Sequence, residues 1–142
     1  MEITRKDLVT FANLCGNCGY NIKNKDKYRR AGRRILKAIV EQVGLRKGEF
    51  EIRWNAGGVA VDGDHILHTD RFYLALSDNC GLGSFYWRTC RGRKDYTGGP
   101  NQNYRWTDFV TDGLQPLVDR LIVAQTGICS QDRADRIASF GR

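Results

Sequence analysis

The chain has 142 residues, of which 41% are hydrophobic and 11% aromatic, and its formal net charge is +7. This length is typical of one domain spanning residues 1–142, which can bury a core without disulfides or a metal. No apolar run approaches the ~20 residues of a membrane span, and no apolar signal-peptide region is visible. These features exclude a membrane protein and a disulfide-stapled secreted miniprotein.

Residues 1–48 are predicted to form two helices. Thr4, followed three residues later by Asp7, has the pattern of an N-cap with an acidic first turn, and Gly16 marks the end of this first helix. A second helix is predicted over residues 24–43 and is closed by Gly44.

The second predicted helix has an apolar face and a basic face. Its apolar face comprises Tyr28, Ala31, Ile35, Ile39 and Val43. Gly32 lies on the same side, where the missing side chain would let another backbone approach closely. The opposite face carries a basic stripe, which we define as Arg30, Arg33, Arg34 and Lys37.

Residues 49–91 change to period-two alternation, which predicts an antiparallel meander. Two residues in this part, His65 and His68, are three apart in a strand and are expected to point to opposite faces. On the last strand, Phe85, Trp87 and Thr89 alternate with Tyr86, Arg88 and Cys90, and Trp87 is expected in the core. Five strands are predicted, at 49–55, 59–61, 65–69, 71–76 and 84–91, with an Asp62-Gly63 hairpin signal between the second and third.

The rest of the chain is predicted to be a long loop followed by helices. Residues 92–106 are glycine-rich, polar and aromatic without a regular pattern, which is typical of a functional loop. Residues 107–142 are predicted to hold one or two C-terminal helices, the second capped by Ser130. The first has a core face comprising Leu114, Leu117, Val118 and Leu121. Helices covering one face of an antiparallel sheet give an α+β fold class.

Two basic segments flank an acidic one. Residues 1–48 hold 12 basic and 4 acidic side chains, residues 49–83 hold 2 and 6, and residues 84–106 hold 5 and 1. A basic segment is an electrostatic footprint for nucleic acid or an acidic protein surface. The alternative is a solvated helix face that only keeps the protein soluble.

Basic and aromatic residues are interleaved between residues 86 and 106. Arginine makes bidentate contacts to phosphate or carboxylate, and aromatic rings offer flat area for bases or a protein hot spot. The alternative is a loop whose aromatic rings complete the core while its arginines face water. The candidate binding residues are Arg88, Arg91, Arg93, Lys94, Tyr96, Tyr104 and Arg105.

The five cysteines and the turn aspartates offer weaker candidates. Cys15 and Cys18 have the spacing of a zinc half-site or redox pair, but no second tight pair completes four ligands. Because Cys15 falls on an apolar helix face and the cysteine count is odd, we expect reduced core thiols, no metal and no cofactor. A metal-dependent hydrolase is an alternative that would use Asp62, Asp64 and Asp70, although such residues usually form turns.

The central third of the chain resembles small uncharacterised proteins of tailed bacteriophages and prophages. The resemblance rests on Leu-His-Thr-Asp ending at Asp70 and on Arg-Thr-Cys-Arg-Gly-Arg-Lys-Asp-Tyr-Thr-Gly-Gly beginning at Arg88. It implies a phage origin and a bacterial host cytoplasm, and no catalytic residue. Phage accessory proteins of this size commonly bind host or defence machinery, including as CRISPR inhibitors, so an anti-defence role is implied.

Together these features predict a non-enzymatic, basic binding protein without a membrane partner. It would engage nucleic acid, or a nucleic-acid-containing host or defence complex, through the basic stripe and the loop. The alternative is a protein–protein inhibitor of a host or CRISPR-type defence enzyme, which occupies an acidic or nucleic-acid-binding surface. A third possibility is an enzyme that uses His68, Asp70 and Arg88 around a cleft.

Overall fold

A computed structural model describes residues 2–76, 84–93 and 99–126, with the side chains of residues 84 and 106 excepted. The α+β prediction is confirmed, with two N-terminal helices, a five-stranded antiparallel sheet and two C-terminal helices. In chain order the elements are α1 (Arg5–Leu14), α2 (Ile22–Val43), β1 (Phe50–Asn55), β2 (Asp64–Thr69), β3 (Phe72–Leu76), β4 (Ser84–Thr89), β5 (Gln102–Arg105), α3 (Trp106–Asp112) and α4 (Gln115–Thr126).

The sheet is a meander in the order β1-β2-β3-β4-β5, but its membership differs from the prediction. Residues 59–61 form no strand, because the carbonyl of Val59 accepts the N–H of Tyr20 and so fastens this segment to the α1–α2 loop. Residues 102–105, predicted as loop, pair with β4 instead, with Tyr104 opposite Phe85. The predicted meander was therefore right in strand number and wrong in two of its segments.

Helices cover one face of the sheet and enclose the core. The helix α2 contacts β1 and β2, α4 contacts β3, and α1 packs on α2 and α3. The central strands contribute fully buried residues to this face, among them Leu67, Leu74 and Phe85. The side chains of Trp54 and Trp87 pack against the core half-buried, less deeply than expected for Trp87. None of the described helices is long and apolar enough to cross a membrane.

The helix boundaries follow the local signals in the sequence. Thr4 and Asp7 form a reciprocal capping box at the start of α1, as predicted. The helix α2 begins two residues earlier than predicted, capped by Asn21, and ends at Gly44 in the left-handed conformation. The pattern of residues 106–112 did not indicate α3, and the helix predicted from Ser130 lies outside the described residues.

The expectation for Gly32 was wrong in one respect. A side-chain ring approaches this glycine, rather than another backbone: a Cβ atom here would lie 2.5 Å from Cδ2 of His65 and closer still to its Cε1 and Nε2. The imidazole of His65, which points from β2 toward α2, therefore packs directly on Gly32 and fills the space that a side chain would take.

Candidate nucleic-acid interface

The basic stripe of α2 lies on the side of the helix that faces away from the sheet. At 100° per residue, its four members lie within about 70° of the direction opposite the buried face. All four side chains are exposed, and the buried residues of the helix are Tyr28, Gly32, Ile35, Leu36, Ala38, Ile39 and Val40. The sequence-predicted separation of the two faces is therefore present in the fold.

Two cations of the stripe are engaged and two are not. Arg30 pairs with Asp26 one turn before it at 3.6 Å, and Arg34 reaches Asp7 of the α1 capping box at 3.2 Å. Arg33 and Lys37 form no ion pair with any described residue. Across α2, Lys or Arg occupies eight positions and Asp or Glu only two, which leaves a net charge of +6.

A second basic cluster lies on the sheet face opposite the helices, the open sheet face. The register aligns His68 of β2, Tyr73 of β3 and Arg88 of β4, which alternate with core residues and therefore share this face. Tyr86 and Arg105 follow from the same alternation on β4 and β5. The prediction that Tyr86 and Arg88 lie opposite Phe85 and Trp87 agrees with this register.

Ring contacts hold the open sheet face together. The rings of Tyr73 and Tyr86 are stacked with centroids 6.2 Å apart, and the guanidinium of Arg88 lies over the Tyr73 ring at 4.9 Å. Burial, followed by the neighbouring Tyr86, raises the pKa of Tyr73 to about 12, so its phenol stays protonated at neutral pH. The Nε atoms of Arg53 and Arg88 are buried without a hydrogen-bond partner. This face therefore carries cations and neutral rings, together with the carboxylate of Glu51, which lies opposite His68 in the register.

His68 and Cys90 form a buried contact at the end of this face. The Nε2 atom of His68 lies 3.7 Å from Sγ of Cys90, and Nη2 of Arg53 lies 3.4 Å from its Nδ1. Burial, aided mainly by the charge of Arg53, lowers the pKa of His68, so the imidazole is neutral at pH 7. Asp70 does not join them, since its carboxylate pairs with Arg93 at 3.6 Å. Of the predicted grouping of His68, Asp70 and Arg88 around a cleft, His68 and Arg88 both contact Tyr73 on this face, whereas the contacts of Asp70 with described residues do not include either of them.

The remaining candidates of residues 91–105 are dispersed. Arg93 donates to the carbonyl of Gly48, and Arg91 and Arg105 are exposed. Tyr104 is buried in the core, where its hydroxyl donates to the carbonyl of Gly113 at 2.9 Å, and so offers no surface to a ligand. The candidates Lys94 and Tyr96 lie outside the described residues.

The two basic surfaces are on opposite sides of the molecule. The stripe faces outward from the helical layer, whereas Arg88 and Arg105 project from the side of the sheet on which none of the described helices packs. A single ligand segment does not contact both directly. Sequence reasoning missed Arg53 and Tyr73, which join the second surface only through strand pairing; their alternation with core residues was the available signal.

Two of the candidate thiol and metal residues, Cys18 and Asp62, make structural contacts. Cys18 is fully buried and its thiol donates to the carbonyl of Leu14 at 3.0 Å. The carboxylate of Asp62 accepts the backbone N–H groups of Gly16 and Cys18. Asp64 and Asp70 flank opposite ends of β2, about 20 Å apart at 3.3 Å per residue. Within the described ranges, no group of three or more His, Cys, Asp or Glu side chains is arranged to hold a metal ion.

Comparison with protein-family models, curated proteins and solved structures finds no match to this chain. The described surfaces are therefore the basis on which a function is assigned.

Proposed function

We propose that this protein binds nucleic acid through the basic stripe of α2, whose cations neutralise backbone phosphates. The observation that carries the proposal is the pair Arg33 and Lys37, which are exposed, one turn apart and without a carboxylate partner among the described residues. Exposed Lys and Arg side chains that bind the phosphates of nucleic acid release its counterions, and this release favours binding.

The dimensions of the stripe fit a polyphosphate. From Arg30 to Lys37 the helix rises about 10 Å, which matches about three phosphates of one strand at 3.4 Å axial spacing. A face that only solubilises a domain usually mixes both signs of charge. The helix α2 carries eight basic and only two acidic residues, and this imbalance therefore favours an anionic ligand.

The resemblance to phage proteins extends this proposal to the setting. The ligand would be phage or host nucleic acid in a bacterial cytoplasm, either alone or inside a defence complex. An acidic protein surface would also accept the stripe, and this alternative is separated from the proposal by experiment.

The test is fluorescence anisotropy with labelled single-stranded and duplex oligonucleotides over a salt series. The double variant Arg33→Glu/Lys37→Glu is compared with Arg46→Glu/Lys47→Glu, which changes the charge equally at two exposed positions before β1. Arg34 is spared because it pairs with Asp7 of the capping box. Circular dichroism checks both folds, which we expect to be intact because exposed charges contribute little stability.

The stripe variant should bind more weakly, and its slope of log K against log salt should flatten by about 1.4–1.8, about 0.7–0.9 for each lost phosphate contact. The Arg46/Lys47 variant should keep most of the slope. If both variants lose oligonucleotide affinity equally, the net charge of the protein and not the stripe determines binding. If the unsubstituted protein binds no oligonucleotide at low salt, the proposal is wrong and the acidic-protein alternative takes its place.

A further inference from the structure

Large exposed apolar side chains occur at one place on the described surface. They are Tyr20 and Ile22, at 80% and 87% exposure, and Val59 and Val61, at 71% and 48%. We call these four residues the apolar patch. Tyr20 lies between two shallow depressions, one lined also by Ile22 and Val59 and the other also by Val61. A contiguous exposed apolar surface of this kind marks an interaction site more often than a scattered one does.

The patch is built on the α1–α2 loop with the first residue of α2, and on the loop between β1 and β2, and these two segments are bonded to each other. The N–H of Tyr20 donates to the carbonyl of Val59 at 2.6 Å, and Nζ of Lys25 donates to the carbonyl of Gly58 at 2.8 Å. The carboxylate of Asp62 adds its two bonds to backbone N–H groups of the α1–α2 loop. A Cβ atom on Gly19 would lie 2.5 Å from the carbonyl oxygen of Ala60, so the loops touch through backbone. A surface fixed in this way is preorganised and loses little conformational freedom on binding.

The backbone of Tyr20 is a second, independent sign of function. Its φ is 59°, and it is the only non-glycine residue with positive φ in the described ranges. A bulky residue in the left-handed region is strained, whereas asparagine or glycine adopts it readily. The strain is not offset by burial, because the ring is exposed. Strained positions of this kind cluster at ligand-binding sites, and tyrosine is enriched among interface hot spots.

We propose that the apolar patch docks a protein segment that presents apolar side chains beside carboxylates. The charge around the patch selects such a partner. Lys25 lines the depression beside Tyr20, Ile22 and Val59, and Lys23 follows Ile22 directly, while the nearby carboxylates are engaged, Asp62 within the loops and Asp26 with Arg30. The cationic rim complements acidic residues and the patch complements apolar ones. This docking surface is independent of the proposed nucleic-acid binding by the stripe.

Two other occupants fit the charges less well. In a symmetric contact with a second copy of the chain, the same patch meets itself, so the lysines of both copies would be brought together. An anionic lipid surface would need a larger apolar face than four side chains on two short loops supply.

The test begins with peptides selected from a displayed random library on the unsubstituted protein and counter-selected on Ile22→Ser/Val59→Ser. Both substituted side chains are exposed, so the fold is expected to persist. Selected peptides should combine aliphatic or aromatic residues with Asp or Glu. By calorimetry the patch variant should bind them about tenfold more weakly or worse, as expected when interface anchors are truncated.

Two further variants separate peptide binding at the patch from a structural effect and from binding at the stripe. Tyr20→Asn should weaken peptide binding while keeping or raising the melting temperature, since asparagine suits the left-handed backbone; a purely structural tyrosine would lower it. Arg33→Glu/Lys37→Glu should leave peptide binding unchanged, just as Ile22→Ser/Val59→Ser should leave oligonucleotide binding unchanged. These two pairs of substitutions therefore test nucleic-acid binding by the stripe and peptide docking at the patch separately.

Several results would overturn the assignment. One is the absence of any peptide that distinguishes the parent from Ile22→Ser/Val59→Ser. Another is selected peptides that lack acidic or apolar residues. A dimer in analytical ultracentrifugation that this variant abolishes would make a second copy the occupant. Co-sedimentation with phosphatidylserine vesicles that the variant abolishes would make it a lipid surface.

Discussion

Replacing Gly32 by alanine should destabilise the protein, although alanine is the better helix former. The imidazole of His65 occupies the space that the new methyl group would take. This ring cannot swing aside, because the rings of Tyr28, Trp54 and Phe11 surround it with centroid distances of 4.6, 4.7 and 5.5 Å. The substitution therefore compresses an aromatic cluster at the α2–β2 contact.

The magnitude follows from two opposed effects. An alanine in the interior of a helix gains about 0.5–1 kcal/mol over glycine. Overpacking a filled core costs about 1–3 kcal/mol, and the upper end applies here because the ring is enclosed. The net loss should be about 2 kcal/mol, or about 6 °C in Tm for a chain of this length.

Urea unfolding followed by circular dichroism measures this loss. Gly58→Ala is the matched control, because nothing lies within 4 Å of its Cβ position, and it should change stability by less than about 0.5 kcal/mol. In a His65→Ala background, Gly32→Ala should become stabilising by about 0.5–1 kcal/mol, since the ring is gone. A Gly32→Ala protein as stable as the parent, or a cost that persists without the ring, would refute the reasoning.

Three further outcomes are expected. Burial lowers the pKa of His65 to about 3, so below pH 6.5 the unfolded chain takes up a proton that the folded chain does not, and stability falls with pH down to about pH 3. When the pH is lowered from 7 to 5, the free energy of unfolding of the parent should therefore fall by about 2 kcal/mol relative to that of His65→Leu, as measured in urea titrations. Asp62→Ala should cost about 2 kcal/mol and speed hydrogen exchange at the amides of Gly16 and Cys18, which it leaves without an acceptor; unchanged exchange there would contradict the fastening of the loops. Tyr104→Phe should cost about 1 kcal/mol in thermal unfolding through its lost hydrogen bond, and leave oligonucleotide binding as it was, because the ring is buried.

The sequence by itself determined the features that depend on neighbours along the chain. The start of α1 at Thr4 and the end of α2 at Gly44 were predictable because caps act within one helical turn. The exposure of the basic stripe followed from helical periodicity, and the alternation of Phe85 with Tyr86 followed from the pleat. The α+β class could be read from the same two periods.

Only the tertiary structure decided which segments pair and what each surface meets. The short segment 102–105 becomes a strand because β4 offers it an edge, and Val59 is excluded from the sheet because its carbonyl binds the α1–α2 loop. Both contacts join segments that are separated along the chain, so the local hydrophobic periodicity of either segment does not reveal them. The same holds for the His65 ring at Gly32 and for the apolar patch, which unites loops about 40 residues apart. Contacts of this range are chosen by the packing of the whole chain, and they decide which residues stay exposed for function.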